Sequence, residues 1–400
     1  MSSQAERSLA ALRVLTRSAH LASADDLPAL AQAAGAELGA LSTVLHVVDY
    51  DQLNLVPFGP EGPALLVEGT LAGRAYTDVA QQVSTAEGRT TIWAPVLDGT
   101  ERLGVLEVVF PEDVTLDGEV VGTVADIAQQ LAELVTIRSV YGDAIERLRR
   151  PARMTLAAEL QWRMLPPLTF VSRRAAIAGV LLPTLDIAGD AFDYALNGDI
   201  LHVVLLDAMG HGLEAAMLCA VAVSALRNAR RDKLALAERI AETDRQLAWQ
   251  FGPDKFVTGI IGELDTSTGW WTWATCGHPP ALVVRGAKVV KELDQVVAPP
   301  LGLGLMGSEV SLGAERLEQG DRLLLYSDGV VEARDSSGEF FGVDRLVELI
   351  SRQSADGRPA AETLRRLNLA ILEHQEGALQ DDATTVMVEW LTDEAERSTP

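Results

Sequence analysis

Acidic motifs that adjoin runs of apolar residues are the feature that most limits how this chain can fold. The four motifs are Ala188-Gly189-Asp190, Asp207-Ala208-Met209-Gly210-His211-Gly212, Ser327-Asp328-Gly329 and Gln380-Asp381-Asp382. Apolar runs adjoin the last three motifs, as is typical of buried strands. Carboxylates at strand ends can converge at one rim of a sheet, and carboxylates without several Cys or His select hard cations such as Mg²⁺ or Mn²⁺. One such cluster shared by two ions is suited to hydrolysis of a phosphoester.

Composition and charge limit the classes of protein and partner. The 400 residues have room for two or three domains, and 48% hydrophobic with 22% charged residues is ordinary for a soluble protein. A formal net charge of -24 argues against a nucleic acid or an anionic membrane as partner, because phosphate groups would repel the chain. Cys219 and Cys276 are the only cysteines, which suits a reducing compartment. No apolar run approaches the ~20 residues that span a bilayer, and no signal pattern begins the chain, so we predict a cytoplasmic protein.

The first third of the chain has the pattern of a small α+β domain. Helices are predicted over residues 1–20 and Leu27–Leu38, and strands over Thr43–Val48, Thr91–Val96 and Arg102–Phe110. Asp98-Gly99 predicts a hairpin turn between the last two strands. The stretches Gly69–Ala75, Trp93–Val96 and Arg102–Glu107 resemble those of a GAF domain. That resemblance implies a sensor domain over residues 1–122, and the alternative is a generic α+β module that binds no ligand.

A long helix with a coiled-coil pattern is predicted next. Apolar residues recur at steps of three and four, with one stammer between Leu134 and Ile137. They are Val124, Ile127, Leu131, Leu134, Ile137, Tyr141, Ala144 and Leu148. Pro151 ends the pattern, and a second helix is predicted over Met154–Met164. We interpret the stripe as the seam of a parallel homodimer through residues 124–148 that carries a signal to the next domain; the alternative is a solvated spacer helix.

Residues 175–391 alternate between strands and helices without a repeat. Strands are predicted over residues 175–182, 200–206, 256–264, 270–275, 280–285, 288–293, 322–326 and 383–390, and helices over 212–229, 233–251, 343–353 and 359–376. Two helix pairs and two runs of strands predict an α+β fold, a β-sandwich flanked by helices. The polar tail 392–400 is predicted to be disordered.

Six segments follow one another in an order that is hard to obtain by chance. They are Leu160–Pro166, Ala188–Asp193, Asp207–Ala216, Phe256–Thr258 with Gly277–Pro280, Tyr326–Gly329 and Asp381–Thr384. Together they resemble the PPM-type serine/threonine phosphatases of the bacterial SpoIIE/RsbU kind, which are similar to the eukaryotic type 2C protein phosphatases. The family often has Gly-Gly where this chain has Ala188-Gly189, and Asn-Ala where it has Thr275-Cys276. Neither difference removes a carboxylate.

The resemblance implies a role for each acidic motif. Asp207 would bridge two Mn²⁺ or Mg²⁺ ions, with the carbonyl of Ala208 as a further ligand. Asp190 would bind directly or through water, and Asp328 and Asp381 would complete the second ion's shell. Two such ions neutralise a phosphate monoester and activate a water molecule for attack, so no covalent phospho-enzyme is required.

Four further residues near these motifs have open or structural roles. His211 could donate a proton to the departing seryl or threonyl oxygen or only hold its loop. Asp193 could be a ligand, orient a ligand or cap a structural element. Asp382 is predicted to support a ligand or face solvent, and His278 to be structural, because one Cys and one His at that spacing make no zinc site.

The resemblance therefore implies a metal-dependent phosphoprotein phosphatase. Its domains would be a GAF-like sensor (1–122), a helical linker with a switch segment (123–167), the PPM-type domain (168–391) and the tail (392–400). In the resembling family the substrate is commonly a phosphorylated anti-sigma-factor antagonist. The alternatives are a pseudophosphatase that sequesters a partner protein and a hydrolase of small phosphoesters. The interrupted helix predicts that the first domain restrains or permits catalysis, and the alternative is a constitutive enzyme with a passive dimerisation domain.

Overall fold

Two compact units make up the chain. The computed structural model describes residues 4–59, 62–112, 114, 116–182, 189–294, 297–306, 310–376 and 382–391. The first unit is Met1–Arg153 and the second is Met154–Pro400. The residues predicted to form a separate linker, 123–167, therefore divide between the two units after Arg153. The tail 392–400, predicted to be disordered, lies outside the described residues.

The first unit is a six-stranded antiparallel sheet with helices on both faces. Its helices are α1 (Gln4–Ser18), α2 (Leu27–Glu37), α3 (Leu71–Asp78), α4 (Gly118–Ser139) and α5 (Ala144–Arg149). Its strands are β1 (Ser42–Val48), β2 (Asn54–Phe58), β3 (Leu65–Leu66), β4 (Gln82–Ala86), β5 (Arg89–Asp98) and β6 (Glu101–Pro111), in the order β3-β2-β1-β6-β5-β4. Alternate side chains of β6 enter two clusters, Leu106 and Val108 facing α1, α2 and α4, and Val105 facing α3.

Most of the predicted elements of this unit are present, with one small shift. The hairpin between β5 and β6 turns at Gly99-Thr100, one residue later than predicted, because Asp98 still pairs with Glu101. Strands β2, β3 and β4 and helix α3 were not predicted.

The predicted dimer seam is wrong over most of its length. The helix ends at Ser139, and a separate short helix, α5, begins at Ala144. Val124, Ile127 and Leu131 are fully buried in the core of their own unit, against the sheet and helices α1 and α2. A spacing of three and four serves equally for packing on a sheet and on a second helix, so the pattern did not distinguish these partners.

Helix α4 is also the helix, among the described residues, that is long and apolar enough to cross a membrane. In this structure the apolar side chains of α4 belong to the core of the first unit. Val120, Val124, Ile127, Leu131 and Val135 are buried within the first unit, as expected for the core helix of a globular domain.

A substitution in α4 distinguishes core packing from a dimer seam. We expect Leu131→Ala to destabilise the first unit by about 2–5 kcal/mol, because it leaves a cavity in a packed core. Ile137→Ala is the matched control, because Ile137 is 53% exposed, and it should cost less than about 1 kcal/mol. Urea unfolding gives both values, and light scattering on the same samples gives the oligomeric state. A change of mass in Leu131→Ala without loss of stability would contradict core packing.

The second unit is a sandwich of two six-stranded sheets between two layers of helices. Its strands are β7 (Thr169–Val171), β8 (Ala175–Leu182), β9 (Asp190–Asn197), β10 (Ile200–Ala208), β11 (Val257–Asp265), β12 (Trp270–Cys276), β13 (Leu282–Arg285), β14 (Lys288–Glu292), β15 (Val297–Ala298), β16 (Gly313–Arg316), β17 (Arg322–Tyr326) and β18 (Ala383–Trp390). Its helices are α6 (Leu156–Met164), α7 (Leu213–Arg231), α8 (Leu236–Phe251), α9 (Asp328–Val331), α10 (Gly342–Ala355) and α11 (Ala360–His374).

The two sheets of the second unit enclose one core between them. The first sheet runs β15-β12-β11-β10-β9 with β16 on β12, and the second runs β14-β13-β17-β18-β8-β7. Phe192, Trp271 and Trp273 from the first sheet pack with Leu323 and Val386 from the second. Helices α7 and α8 cover the outer face of the first sheet, and α10 and α11 cover that of the second. The predicted sandwich flanked by helices is therefore confirmed.

Candidate active site

Two aspartates face each other across adjacent strands at one end of the sandwich. Asp190 begins β9 and Asp207 lies one residue before the end of β10, directly opposite in the antiparallel register. Side chains alternate along a strand, so Asp207 shares a face with the core residue Leu205, and Asp190 shares one with Phe192. Both carboxylates therefore lie on the faces that the two sheets turn toward each other.

The second sheet contributes a third carboxylate, that of Asp382. This residue precedes β18 and is buried, and its Oδ2 accepts hydrogen bonds from the backbone N–H groups of Gly189 and Asp190, the second at 3.1 Å. Of the two predicted roles of Asp382, its burial excludes the one in which it faces solvent and leaves the one in which it supports a ligand. Its carboxylate holds the start of β9 against the second sheet, at the rim where both sheets end.

Burial and neighbouring charge make Asp190 an unusual carboxyl group. Burial raises its pKa well above the ordinary value, and the negative charges of Asp207 and Asp382 raise it further. The hydroxyls of Ser327 and Thr384 act in the opposite direction. Its Oδ2 is buried and makes no hydrogen bond to any described residue. A buried oxygen in a cluster of negative charge is favourable only if a proton or a cation compensates it.

Asp328 reaches the same rim from the end of β17. It is the exposed first residue of α9, and Ser327 before it joins the start of β18 through hydrogen bonds with Thr384 of 2.9 Å in both directions. Steric crowding explains why a glycine follows Asp328. A Cβ on Gly329 would lie 1.9 Å from the carbonyl oxygen of Asp382, so a larger residue would push the two acidic segments apart.

The loop after β10 carries the glycines predicted to allow a tight turn. Gly210 and Gly212 have φ of 82° and 78°, in the left-handed region that favours glycine. His211 between them is exposed, and α7 begins at Leu213. Cys219 of α7 donates from Sγ to the carbonyl of Gly189 at 2.7 Å. Burial, and then the charges of Asp190, Asp207 and Asp382, raise the pKa of that thiol well above its ordinary value.

The structure brings together part of the predicted site. Asp190, Asp207 and the buried backbone of Ala208 lie at one rim with Asp382, and Asp328 adjoins them through Gly329. Asp381 lies outside the described residues. No group of three or more His, Cys, Asp or Glu side chains within the described ranges forms a ready-made metal cage.

The carboxylate of Asp193 is paired with two arginine side chains. Its Oδ1 accepts from Arg227 at 2.7 and 3.0 Å, and its Oδ2 accepts from Arg230 at 3.1 Å. Two guanidinium groups on α7 thus hold the carboxylate of Asp193 against that helix. These ion pairs occupy both carboxylate oxygens, which argues against Asp193 as a direct metal ligand.

His278 joins the two sheets beside the carboxylates. Its Nδ1 lies 2.9 Å from the hydroxyl of Thr258 on β11, and its Nε2 lies 3.1 Å from the carbonyl oxygen of Tyr326 on β17. Burial lowers its pKa to about 4, so the ring is neutral at neutral pH. A structural role was predicted for His278, but its contact with Thr258, which lies opposite Asp207, was not.

The lowered pKa of His278 predicts an acid-sensitive fold. In the unfolded chain this ring takes up a proton near pH 6.5, whereas in the folded chain it resists until about pH 4. Stability should therefore fall as pH drops through that window, by up to about 3 kcal/mol from this residue. Urea unfolding between pH 7 and 4 measures the slope, and His278→Asn should show a smaller slope. Equal slopes for both proteins would show that other groups cause the loss.

Comparison with known proteins agrees with this architecture. Residues 197–391 match the family described as Stage II sporulation protein E (SpoIIE). Protein IcfG of Synechocystis sp. (strain ATCC 27184 / PCC 6803 / Kazusa) is 25% identical over 241 residues, which are 53% of this chain and 37% of that protein. Phosphoserine phosphatase RsbU of Bacillus subtilis (strain 168) is 21% identical over 272 residues, 66% of this chain and 80% of RsbU.

A solved structure supports the same fold. The SiaA-PP2C domain of Pseudomonas aeruginosa superposes with a TM-score of 0.50 at 18% identity, covering 59% of this chain and 94% of that domain. The chain spans only about a third of the length of IcfG, 37%, so the likeness concerns a domain. Residues 197–391 thus match the SpoIIE family, and the unit that contains them has the fold of a PP2C domain.

Proposed function

We propose that this chain is a metal-dependent protein phosphatase that acts on phosphoserine or phosphothreonine. The observation that carries the proposal is the cluster formed by the buried Asp190 and Asp382 with the half-buried Asp207, at the rim where both sheets end. Bound cations would compensate the negative charge of such a cluster, and its all-oxygen donors suit Mn²⁺ or Mg²⁺. The match to the SpoIIE family and the similarity to a phosphoserine phosphatase, RsbU, support the reaction class.

The proposed ligands of two such ions are residues at this rim. Asp207, the Ala208 carbonyl and Asp190 would hold them together with Asp328 and with Asp381, which the family pattern adds. The buried Oδ2 of Asp190, which lacks a hydrogen bond to any described residue, is the donor atom best explained by a cation. When bound, the ions would neutralise the phosphate and lower the pKa of a water molecule.

The chain's own groups orient and protonate the reactants. Asp382 fixes the backbone of Gly189 and Asp190 and thereby the spacing of the Asp190 and Asp207 carboxylates. His211 lies on an exposed loop next to the rim, where its ring could donate a proton to the departing seryl or threonyl oxygen. Cys219 is a poor nucleophile, because its raised pKa keeps it a thiol.

The substrate is proposed to be a separate phosphoprotein of the anti-sigma-factor antagonist type, as in partner-switching signalling. This follows from the resemblance to the SpoIIE/RsbU kind of phosphatase, and the net charge of -24 disfavours nucleic acid. A pseudophosphatase that sequesters its partner is the second candidate. A cytoplasmic location stays a prediction.

A titration with Mn²⁺ tests the proposed reaction. The full chain would be assayed on a panel of phosphoserine and phosphothreonine proteins and on an aryl phosphate, with and without EDTA. We expect Mn²⁺-dependent phosphate release that EDTA abolishes, with higher kcat/KM for one phosphoprotein than for the aryl phosphate. Turnover of the aryl phosphate alone would favour a small-molecule hydrolase. No turnover together with tight binding of a phosphoprotein would favour the pseudophosphatase.

We also propose that the first unit regulates the phosphatase domain through α6. Gln161 of this helix is fully buried, and its Nε2 donates to the backbone carbonyl of Asp190 at 2.7 Å. Arg227 donates to the carbonyl of Met164, the last residue of α6, at 2.9 Å while it also binds Asp193. A shift of α6 would therefore move the start of β9. A fragment that begins at Arg153 should differ several-fold from the full chain in rate or Mn²⁺ requirement, and identical kinetics would contradict regulation by the first unit.

A further inference from the structure

A chain of two hydrogen bonds runs from the strand beside Asp207 to the strand that leads to Asp328. It starts at Thr258, which lies opposite Asp207 in the register of β10 and β11. It passes through the ring of His278, on the segment after β12, and ends at the carbonyl oxygen of Tyr326, the last residue of β17. His278 is 7% exposed, so water cannot readily replace either partner.

The direction of both hydrogen bonds follows from the chemistry of the last acceptor. A carbonyl oxygen only accepts, so the Nε2 of His278, 3.1 Å away, must carry a hydrogen. A neutral ring then has a lone pair on Nδ1, and the hydroxyl of Thr258, 2.9 Å away, must donate to it. The lowered pKa of His278 agrees with a neutral ring.

The direction of these hydrogen bonds determines which side of the Thr258 hydroxyl group faces Asp207. Its Oγ1 lies 3.5 Å from the Oδ2 of Asp207 and 3.4 Å from that residue's carbonyl oxygen, both longer than the contact to His278. A hydroxyl has one hydrogen, and here it is committed to the shorter contact. Thr258 therefore turns no hydrogen toward the carboxylate of Asp207, and the approach of these two oxygen atoms is unfavourable unless a positive charge or a water molecule lies between them.

We propose that His278 is a positioning residue, which turns the hydroxyl of Thr258 so that its oxygen adds a neutral donor beside Asp207 for a bound cation or for the water that the cation holds. The same ring ties β11 to β17, so the sides of the site that carry Asp207 and Asp328 keep one spacing. This inference rests on the proposed metal-dependent function. A merely structural role would require the hydrogen bonds for stability alone and would not require a particular orientation of the hydroxyl.

The first test reads the orientation directly and requires no metal. In the metal-free full chain labelled with ¹⁵N-histidine, long-range ¹H–¹⁵N correlation spectra distinguish protonated from unprotonated ring nitrogens, and loss of one of six histidine patterns in His278→Asn assigns the residue. We expect His278 to be protonated at Nε2 and unprotonated at Nδ1 at pH 7. A ring protonated at Nδ1 would overturn the inference by itself.

The second test measures Mn²⁺ affinity by calorimetry alongside the melting temperature. Thr258→Val keeps the shape of the side chain but removes the oxygen, and should weaken Mn²⁺ binding about 10-fold, the scale of an outer-shell partner. Thr258→Ser keeps the hydroxyl and should bind within about 3-fold of the wild type. In a His278→Asn background, Thr258→Val should cost less than in the wild type, because the hydroxyl is no longer oriented.

The possible outcomes separate this inference from the proposed function. Equal Mn²⁺ affinity in Thr258→Val and Thr258→Ser, with only the melting temperature changed, would show a structural role and overturn the inference. If the wild type itself bound no Mn²⁺, the proposed function would fail and the cation part of this inference with it. If His278→Asn did not fold, the comparison of the two Thr258 variants would still decide.

Discussion

Replacing Asp207 with asparagine is expected to abolish turnover, a loss of about a thousandfold or more. Asp207 lies opposite Asp190 at the rim and is the residue proposed to serve two cations at once. The uncharged amide of asparagine would weaken the binding of both ions, because it removes a negative charge that both would share. Phosphate release from the phosphoprotein substrate at saturating Mn²⁺ gives the rate, and calorimetry gives the number and affinity of the ions.

The same hairpin of strands offers a matched control. Asp199 lies in the turn between β9 and β10, at the opposite end of the hairpin from Asp207, and is bound at the surface by Arg174. Asp199→Asn removes the same charge and should leave rate and Mn²⁺ affinity within about 2-fold, as is usual for a surface site. Near-normal activity of Asp207→Asn in Mn²⁺ would show that the site is wrongly assigned.

Replacing Asp190 with asparagine is expected to stabilise the metal-free protein while it inactivates the enzyme. Asp190 is buried beside two other carboxylates, and its raised pKa expresses the cost of its negative charge. Asparagine has nearly the same shape without that charge, so the free energy of unfolding in EDTA at pH 7 should rise by about 1–4 kcal/mol. A functional group that costs stability in the metal-free fold is typical of an active site.

The pH dependence of this gain supplies its own control. A carboxyl group whose pKa is raised by folding does not destabilise the fold below its unfolded pKa of about 3.8, and its cost grows as pH rises above that value. The advantage of Asp190→Asn should therefore shrink toward zero near pH 4. Saturating Mn²⁺ should reverse the order, because only the wild type then gains from the bound ions. A variant less stable than the wild type in EDTA at pH 7 would contradict the repulsion we infer.

Local patterns in the sequence predicted much of the second unit. Strands β10, β17 and β18 are runs of apolar residues with an aspartate at or beside one end, so their type and the position of Asp207 and Asp328 could be predicted without a structure. The two helix pairs have a clear helical spacing, and two layers of strands between them follow from the need to bury both sets of apolar faces.

Strand β9 was not predicted, although it carries Asp190. Two aspartates interrupt its eight residues, and isolated charges argue against a buried strand. Distant residues remove the difficulty, because Arg227 and Arg230 compensate Asp193, while Asp382 binds the backbone at Asp190. Strand formation here depends on pairing and charge compensation that arise only in the folded chain.

The sequence by itself therefore determined the fold class of the second unit, because the type of each element follows from the local spacing of apolar residues. It also determined which acidic motifs adjoin the strands, because those motifs are short local sequences. Only the tertiary structure decided which face each helix buries and which polar groups meet. The stripe of α4 packs on its own sheet and Asp193 pairs with arginines, whereas His278 reaches from Thr258 to Tyr326. Each of these outcomes joins residues far apart along the chain, and no local pattern specifies the partner of a side chain across such a distance.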